Sequence, residues 1–181
     1  MTKEQIKEFC KYLENQVKNN SIYVWGGQGE LVMATPLCKL KEMETSNTNY
    51  KRVVKLVNSL IQCDKSLQHA RMFDCSGLGT FWLVNEKILT SDTTADGLYK
   101  KCTLKPISNI KKGDFVFKVT TTTVKDDKTG TVKEVKKATH IGYVVDNDKS
   151  IIEAYGRDKG VVKNKLYNGS SQFTEAGVLN V

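Results

Sequence analysis

With 181 residues, 39% of them hydrophobic, the chain is long enough for one good core and too short for two large domains, so a single domain over 1–181 is expected. Its net charge of +8 favours an anionic partner, whether nucleic acid, a membrane surface or an anionic cell-wall polymer, but the lysine pairs (Lys100-Lys101, Lys111-Lys112, Lys136-Lys137) are scattered. Without a dense basic stripe and interleaved aromatics no nucleic-acid role is expected, and no apolar run approaches the roughly 18 residues of a membrane span.

The charged opening Met-Thr-Lys-Glu-Gln-Ile-Lys-Glu lacks the apolar region of a secretory signal, so synthesis in the cytosol with export by another route is the expectation. Residues 3 to 18 carry Ile6, Phe9, Cys10, Leu13 and Val17 at helical spacing, which predicts an amphipathic helix with Cys10 in its core stripe. A short extended run, Ser21 through Trp25, ends in the turn Gly26-Gly27-Gln28-Gly29, whose glycines lack the spacing of a phosphate loop. A second helix is predicted over 49 to 61, with Val53, Leu56, Val57, Leu60 and Ile61 on one face and Cys63 just beyond it read as structural. A third should begin near Cys75 with Asp74 as its N-cap, placing the thiol in the first turn, and a fourth over 94 to 101 packs Leu98 and Cys102. From 113 onward strands take over, at 114–119, 140–145, 151–155, 160–162 and 178–179, with a long polar hairpin at about 118–139 turning at Asp126-Asp127-Lys128-Thr129-Gly130. Helices first and sheet afterwards read as α+β.

Five cysteines at irregular spacing, with no Cys-x-x-Cys pair and only two histidines, argue against a metal site and a disulfide scaffold; no cofactor is implied. Cys75, at a helix N-terminus where unpaired amides and the helix dipole favour a thiolate, is the candidate nucleophile. His140 is the candidate general base, because it opens a strand and Gly142, two residues on, leaves room beside it. Glu153 on the next strand can orient the imidazole, completing a Cys/His/carboxylate set from separate elements. Taken alone, a cysteine and a distant histidine read equally as packing, since buried cysteine is a common core residue.

Five ordered blocks change that balance: Tyr23-Val24-Trp25-Gly26-Gly27, Asp74-Cys75-Ser76-Gly77-Leu78, Lys112-Gly113-Asp114-Phe115-Val116-Phe117, His140-Ile141-Gly142-Tyr143-Val144 and Ile152-Glu153-Ala154-Tyr155-Gly156. Together they resemble NlpC-type cell-wall cysteine peptidases, over residues 3 to 29 and 71 to 165. The resemblance implies a papain-like α+β fold with N-terminal helices on a C-terminal antiparallel sheet, no cofactor or metal, and peptidoglycan as partner, cleaved in the stem peptide between D-γ-glutamyl and a diamino acid. It makes Cys75 nucleophile, His140 base and Glu153 orienter, sets Tyr23 near the nucleophile as an oxyanion-hole donor, and puts Asp74 and Ser76 where they can contact the stem.

Two departures stand out. The family's third residue is often histidine, whereas here it is Glu153, and residues 28 to 73 exceed the family's usual short connection, forming a helical insertion at about 30–70 that could wall the cleft. His69, inside it, reads as an exposed or hydrogen-bonded histidine with substrate contact as the alternative. The lack of a signal fits a phage endolysin, a tail-associated lysin or a piece of a larger secreted wall hydrolase, acting as a monomer. N-acetylmuramoyl-L-alanine amidase activity on the same machinery, and a non-catalytic wall-binding module, remain alternatives.

Overall fold

Thr2 opens the first helix with a reciprocal capping box, its hydroxyl accepting the Gln5 amide at 3.2 Å while its own amide donates to the Gln5 side chain at 2.8 Å. From there α1 runs Lys3–Lys18 and buries Phe9, Cys10 and Leu13, the centre of the predicted stripe. The computed structural model describes residues 1–125, 131–169 and 172–180.

Strands β1 (Ile22–Tyr23) and β2 (Gln28–Leu31) are followed by a helical stretch: a 3-10 turn at Val32–Ala34, α2 at Leu37–Met43 and α3 at Asn47–Gln62. The Ser46 hydroxyl accepts the Asn49 amide, so α3 starts two residues ahead of the predicted 49. Then come β3 (Arg71–Phe73), α4 (Gly77–Asn85) and α5 (Ala95–Lys100), the last capped by Thr94, which accepts the Gly97 amide at 3.1 Å. The remaining strands are β4 (Cys102–Lys105), β5 (Phe115–Lys125), β6 (Val132–Val144), β7 (Ser150–Gly156), β8 (Gly160–Lys165) and β9 (Glu175–Leu179). They form an antiparallel sheet in the order β4-β9-β5-β6-β7-β8, while β1, β3 and β2 make a second, three-stranded sheet in that order. The fold is α+β, as expected.

Strands β2, β3 and β4 were not anticipated, because three or four residues are too few for alternation to register. Along the 118–139 arm β5 and β6 stay paired antiparallel from Val119↔Ala138 to Lys125↔Val132, two sheet strands running on into solvent. The threonine and valine run Thr120 to Val124 favours this extended pairing. Its anticipated turn, Asp126-Asp127-Lys128-Thr129-Gly130, lies outside the described residues.

The main core lies between α1, α4, α5 and one face of the large sheet, where Phe9, Leu13, Leu78, Leu83, Leu98, Phe115, Phe117, Ile141 and Tyr143 are all but inaccessible. Burying each such side chain stabilises by about 1.5–3 kcal/mol. Phe9 meets Tyr143 edge to face at 5.3 Å, joining α1 to β6. On the sheet's opposite face Val116, Val144, Ile151 and Phe173 form a smaller cluster. The insertion has its own, in which Leu40 and Val53 cover Ile22, Val24 and Met72. It is therefore seated on β1 and β3.

Packing of α4 on the sheet is close enough to require glycine at 79. A Cβ there would collide with the Tyr143 phenol, whose ring is fully buried and has no room to swing away. Gly79→Ala is accordingly expected to destabilise the protein by about 1–3 kcal/mol, read as a lower denaturant midpoint at unchanged m-value.

Candidate active site

Strands β1 and β3 run parallel with Tyr23 opposite Phe73, so the phenol and, two residues further, Cys75 leave the same end of the small sheet. The Val24 amide donates to Phe73 O and the Asp74 amide to Gly27 O, both at 3.0 Å. Such close approach needs bare backbone on both sides: a Cβ on Gly27 would stand 2.9 Å from Phe73 N, and one on Gly77 would strike the Gly27 carbonyl oxygen. The glycines of the two motifs thus clamp the phenol-bearing and thiol-bearing segments together.

Helix α4 begins at Gly77, so Cys75 sits in the turn leading into the helix and not, as expected, in its first turn. Ser76, not the expected Asp74, holds the N-cap position and makes no side-chain cap bond; Asp74 caps from two residues further back, Oδ1 accepting the Gly77 amide at 2.7 Å and the Ser76 hydroxyl at 3.1 Å. Burial raises the Asp74 carboxyl above the usual range against the pull of those bonds. From below, the buried Tyr143 hydroxyl lies 3.4 Å from the Cys75 carbonyl and 3.3 Å from that of Ser76, propping up the turn.

His140 enters from β6. Its partner across the ladder is Lys118, while Val119 pairs with Ala138, leaving Thr139 as the extra residue of a bulge. A bulge turns the strand and re-aims the side chain beside it, here the imidazole. The His140 Nε2 is 2.7 Å from Glu153 Oε2, and the Glu153 side chain is wholly buried. Cys75 is near enough to the ring to help raise its pKa, and with Nε2 on the carboxylate, Nδ1 is the ring nitrogen left to face the thiol. Burial works to lower the His140 pKa, but the bonds to Cys75 and Glu153 and the charges behind them outweigh it and push it up to about 9. The space expected beside Gly142 is filled by Phe173, which lies flat against the imidazole at 5.8 Å and 13°; a Cβ on Gly142 would stand 2.7 Å from that ring.

Tyr23 is buried, and its phenol pKa is raised by that burial and by the neighbouring Cys75, with Arg157 acting the other way. The Arg157 guanidinium lies 5.1 Å above the Tyr23 ring centre and donates from Nε to Glu44 Oε1 at 2.8 Å. A thiol, an imidazole and a buried carboxylate in series, with a phenol alongside, form a group that can attack an electrophilic carbon and return a proton to a leaving group.

Cys75, His140 and Glu153 are thus brought together, with Tyr23, Asp74 and Ser76 around the thiol. His69 is not among them and is exposed ahead of β3. Cys10 and Cys102 are packed as expected, burial pushing their thiols up to about 11 and about 12. Cys63, read as structural, is instead exposed at the C-cap of α3, where the helix ends before the core reaches it. Tyr143, Phe173, Glu44 and Arg157 were missed as site residues. Tyr143 falls in a quoted block and Arg157 follows one directly, but Phe173 and Glu44 lie in segments without a readable pattern. Among the described residues no group of three or more His, Cys, Asp or Glu is placed to hold a metal ion, and no helix is long and apolar enough to cross a membrane.

The fold is similar to that of the peptidoglycan hydrolase RipB from Mycobacterium tuberculosis. That likeness covers 100% of this chain and 70% of RipB, with a TM-score of 0.50 and 14% identity. The P60 domain of antigen MAP1204 from M. avium subspecies paratuberculosis aligns over 98% of this chain and 99% of its own, with a TM-score of 0.48 and 14% identity. No family model and no curated protein sequence matches the chain. Helices ahead of a C-terminal antiparallel sheet, the NlpC-type arrangement expected from the sequence, are what the chain and RipB have in common.

Proposed function

We propose that this chain is a peptidoglycan hydrolase, an endopeptidase that cuts the stem peptide between D-γ-glutamyl and a diamino acid through a Cys75 thioester. The observation that carries the reading is the thiol–imidazole–carboxylate series, with the Glu153 carboxylate wholly buried 2.7 Å from His140. It is supported by the shared fold with RipB, a peptidoglycan hydrolase.

In this reading the Cys75 thiolate attacks the scissile carbonyl carbon, and the oxyanion that forms is met by the Cys75 amide and the Tyr23 hydroxyl. The His140 imidazolium, held by Glu153, protonates the departing amine, and the C–N bond breaks to leave a thioester. Water then attacks the thioester with His140 as base, releasing the carboxylate product and restoring the thiolate. Asp74 and Ser76 lie beside the thiol, where the stem would pass, and Asp74 keeps its capping role alongside.

Mass spectrometry of muropeptides released from purified walls tests the reading. Fragments ending at the D-glutamyl residue are expected from the wild type and none from Cys75→Ala. Loss of the whole stem from muramic acid would make the enzyme an amidase, and tight wall binding with no release would make it a binding module.

The charge of +8 has a role here too, because bacterial walls carry phosphate and carboxylate groups. The screening length shrinks to about 10 Å at 0.1 M salt, so lysis of whole walls should fall as salt is added. Cleavage of a small soluble stem peptide should change much less, since short-range contacts decide that step. Parallel loss on both substrates would show that salt acts on the site or the fold, and no response from either would leave the charge a role in solubility alone.

A further inference from the structure

The insertion grips the turn after β7 with two ion pairs of opposite sense. Glu44, at the end of α2, pairs with Arg157, and Arg52 on α3 pairs with Asp158. The second is an exposed pair, worth little by itself. The first is buried, with the Glu44 side chain only 1% accessible and that of Arg157 16%. Glu44 Oε1 accepts both from Arg157 Nε at 2.8 Å and from the Trp25 backbone amide at 2.9 Å. One carboxylate therefore fixes the backbone two residues after Tyr23 and the guanidinium lying over the Tyr23 ring. Removing a charge from water beside a site is costly, and hydrophobic replacement of such pairs is often neutral or better for stability. What the pair does possess is geometry, because each of its contacts ends on the segment carrying the phenol.

We propose that Glu44 and Arg157 are positioning residues that hold Tyr23 against Cys75, so that the 30–70 insertion completes the side of the site where an oxyanion would form. The inference rests on the Cys75 reading above. The guanidinium over the ring favours electron density on the phenol oxygen side being drawn inward, which makes the hydroxyl a better donor to a developing negative charge. Glu44 has the second task of keeping that guanidinium from moving off into solvent.

Two reactions of Cys75 separate this role from a purely structural one. Iodoacetamide alkylates the thiolate at a saturated carbon, expelling iodide without any oxyanion. The ester p-nitrophenyl acetate transfers its acetyl group to the thiolate through a tetrahedral oxyanion, forming a thioester and releasing p-nitrophenolate. Both are followed at Cys75 by peptide mass spectrometry, which counts the exposed Cys38 and Cys63 separately. For Tyr23→Phe, acylation is expected to slow about tenfold or more while alkylation stays within about twofold. Arg157→Met should show the same split, Glu44→Gln a smaller one because its amide oxygen can still accept one of the two bonds, and Arg157→Lys partial rescue relative to Met. Tyr23→Phe combined with Arg157→Met should be no slower than the worse single variant, since both remove the same donor. The proposal is overturned if acylation is unaffected in Arg157→Met, if both reactions slow alike, or if the two losses multiply. Digestion of purified walls by the wild type runs in parallel. Walls left intact while the ester-to-alkylation ratio moves as expected would sink the hydrolase reading and leave this one standing, and the reverse pattern would do the opposite.

Discussion

Cys75→Ala should abolish release of muropeptides, lowering kcat by at least about a thousandfold, with the folded state retained. The side chain is only half-buried, so its loss opens no large cavity, and the turn around it is held by Asp74 and Tyr143 rather than by the thiol. His140→Ala should cost about as much, and the double variant no more than either alone, because thiol and imidazole act as one unit. Ser replacements at Cys38 and Cys63, which are exposed, should leave activity untouched, and those at the buried Cys10 and Cys102 should cost stability only. Steady-state rates on walls with a denaturation curve for each variant check this. A comparable loss of rate at Cys63 or Cys102 would overturn the assignment of Cys75.

Glu153→Gln should move the alkaline limb of the pH–rate profile downward. In the folded protein the His140 pKa is raised from 6.5 to about 9, burial opposing the rise and the bonds to Cys75 and Glu153 producing it. The imidazolium that protonates the leaving amine thus persists until pH rises through about 9, where kcat/KM of the wild type should fall. Removing the carboxylate charge takes away part of that support, so the limb should shift toward 6.5, with a loss on the order of tenfold at pH 8. Glu153→Ala should lose more, since no acceptor remains to orient the ring, whereas an amide oxygen can still accept from Nε2–H. The same linkage acts on stability. A histidine whose folded pKa is raised contributes fully below its unfolded value and loses that contribution as pH climbs through the folded one. The wild type should therefore weaken between about pH 6.5 and 9, by up to about 3 kcal/mol, and Glu153→Gln should show a flatter slope in urea unfolding. An unchanged limb in Glu153→Ala would mean that another group holds the imidazole.

How much of this was legible beforehand depends on the range of the interaction involved. Helix α1 was readable to its ends, because 16 residues repeat one pattern over a local capping box. The sheet strands were readable where alternation ran for five residues or more, and invisible in β2, β3 and β4. Cys75, His140 and Glu153 could be singled out as candidates because each lies in one of five short ordered blocks, with only two histidines to choose between. The start of α4 was misplaced by two residues, since Asp74 caps through its side chain while the helix itself waits for Gly77.

By itself, then, the amino-acid sequence determined the α+β order of elements, which follows from local periodicity and capping, and it singled out Cys75, His140 and Glu153 as candidates through short blocks that resemble a known family. Only the tertiary structure decided how those groups meet. The bulge at Thr139 that aims His140, the ring of Phe173 against it, and the register that sets Tyr23 beside Phe73 depend on pairings between distant segments. So does the contact of Glu44 with Arg157, 113 residues apart. No local pattern encodes such contacts, because each is fixed by the packing of two elements whose relative placement neither one contains.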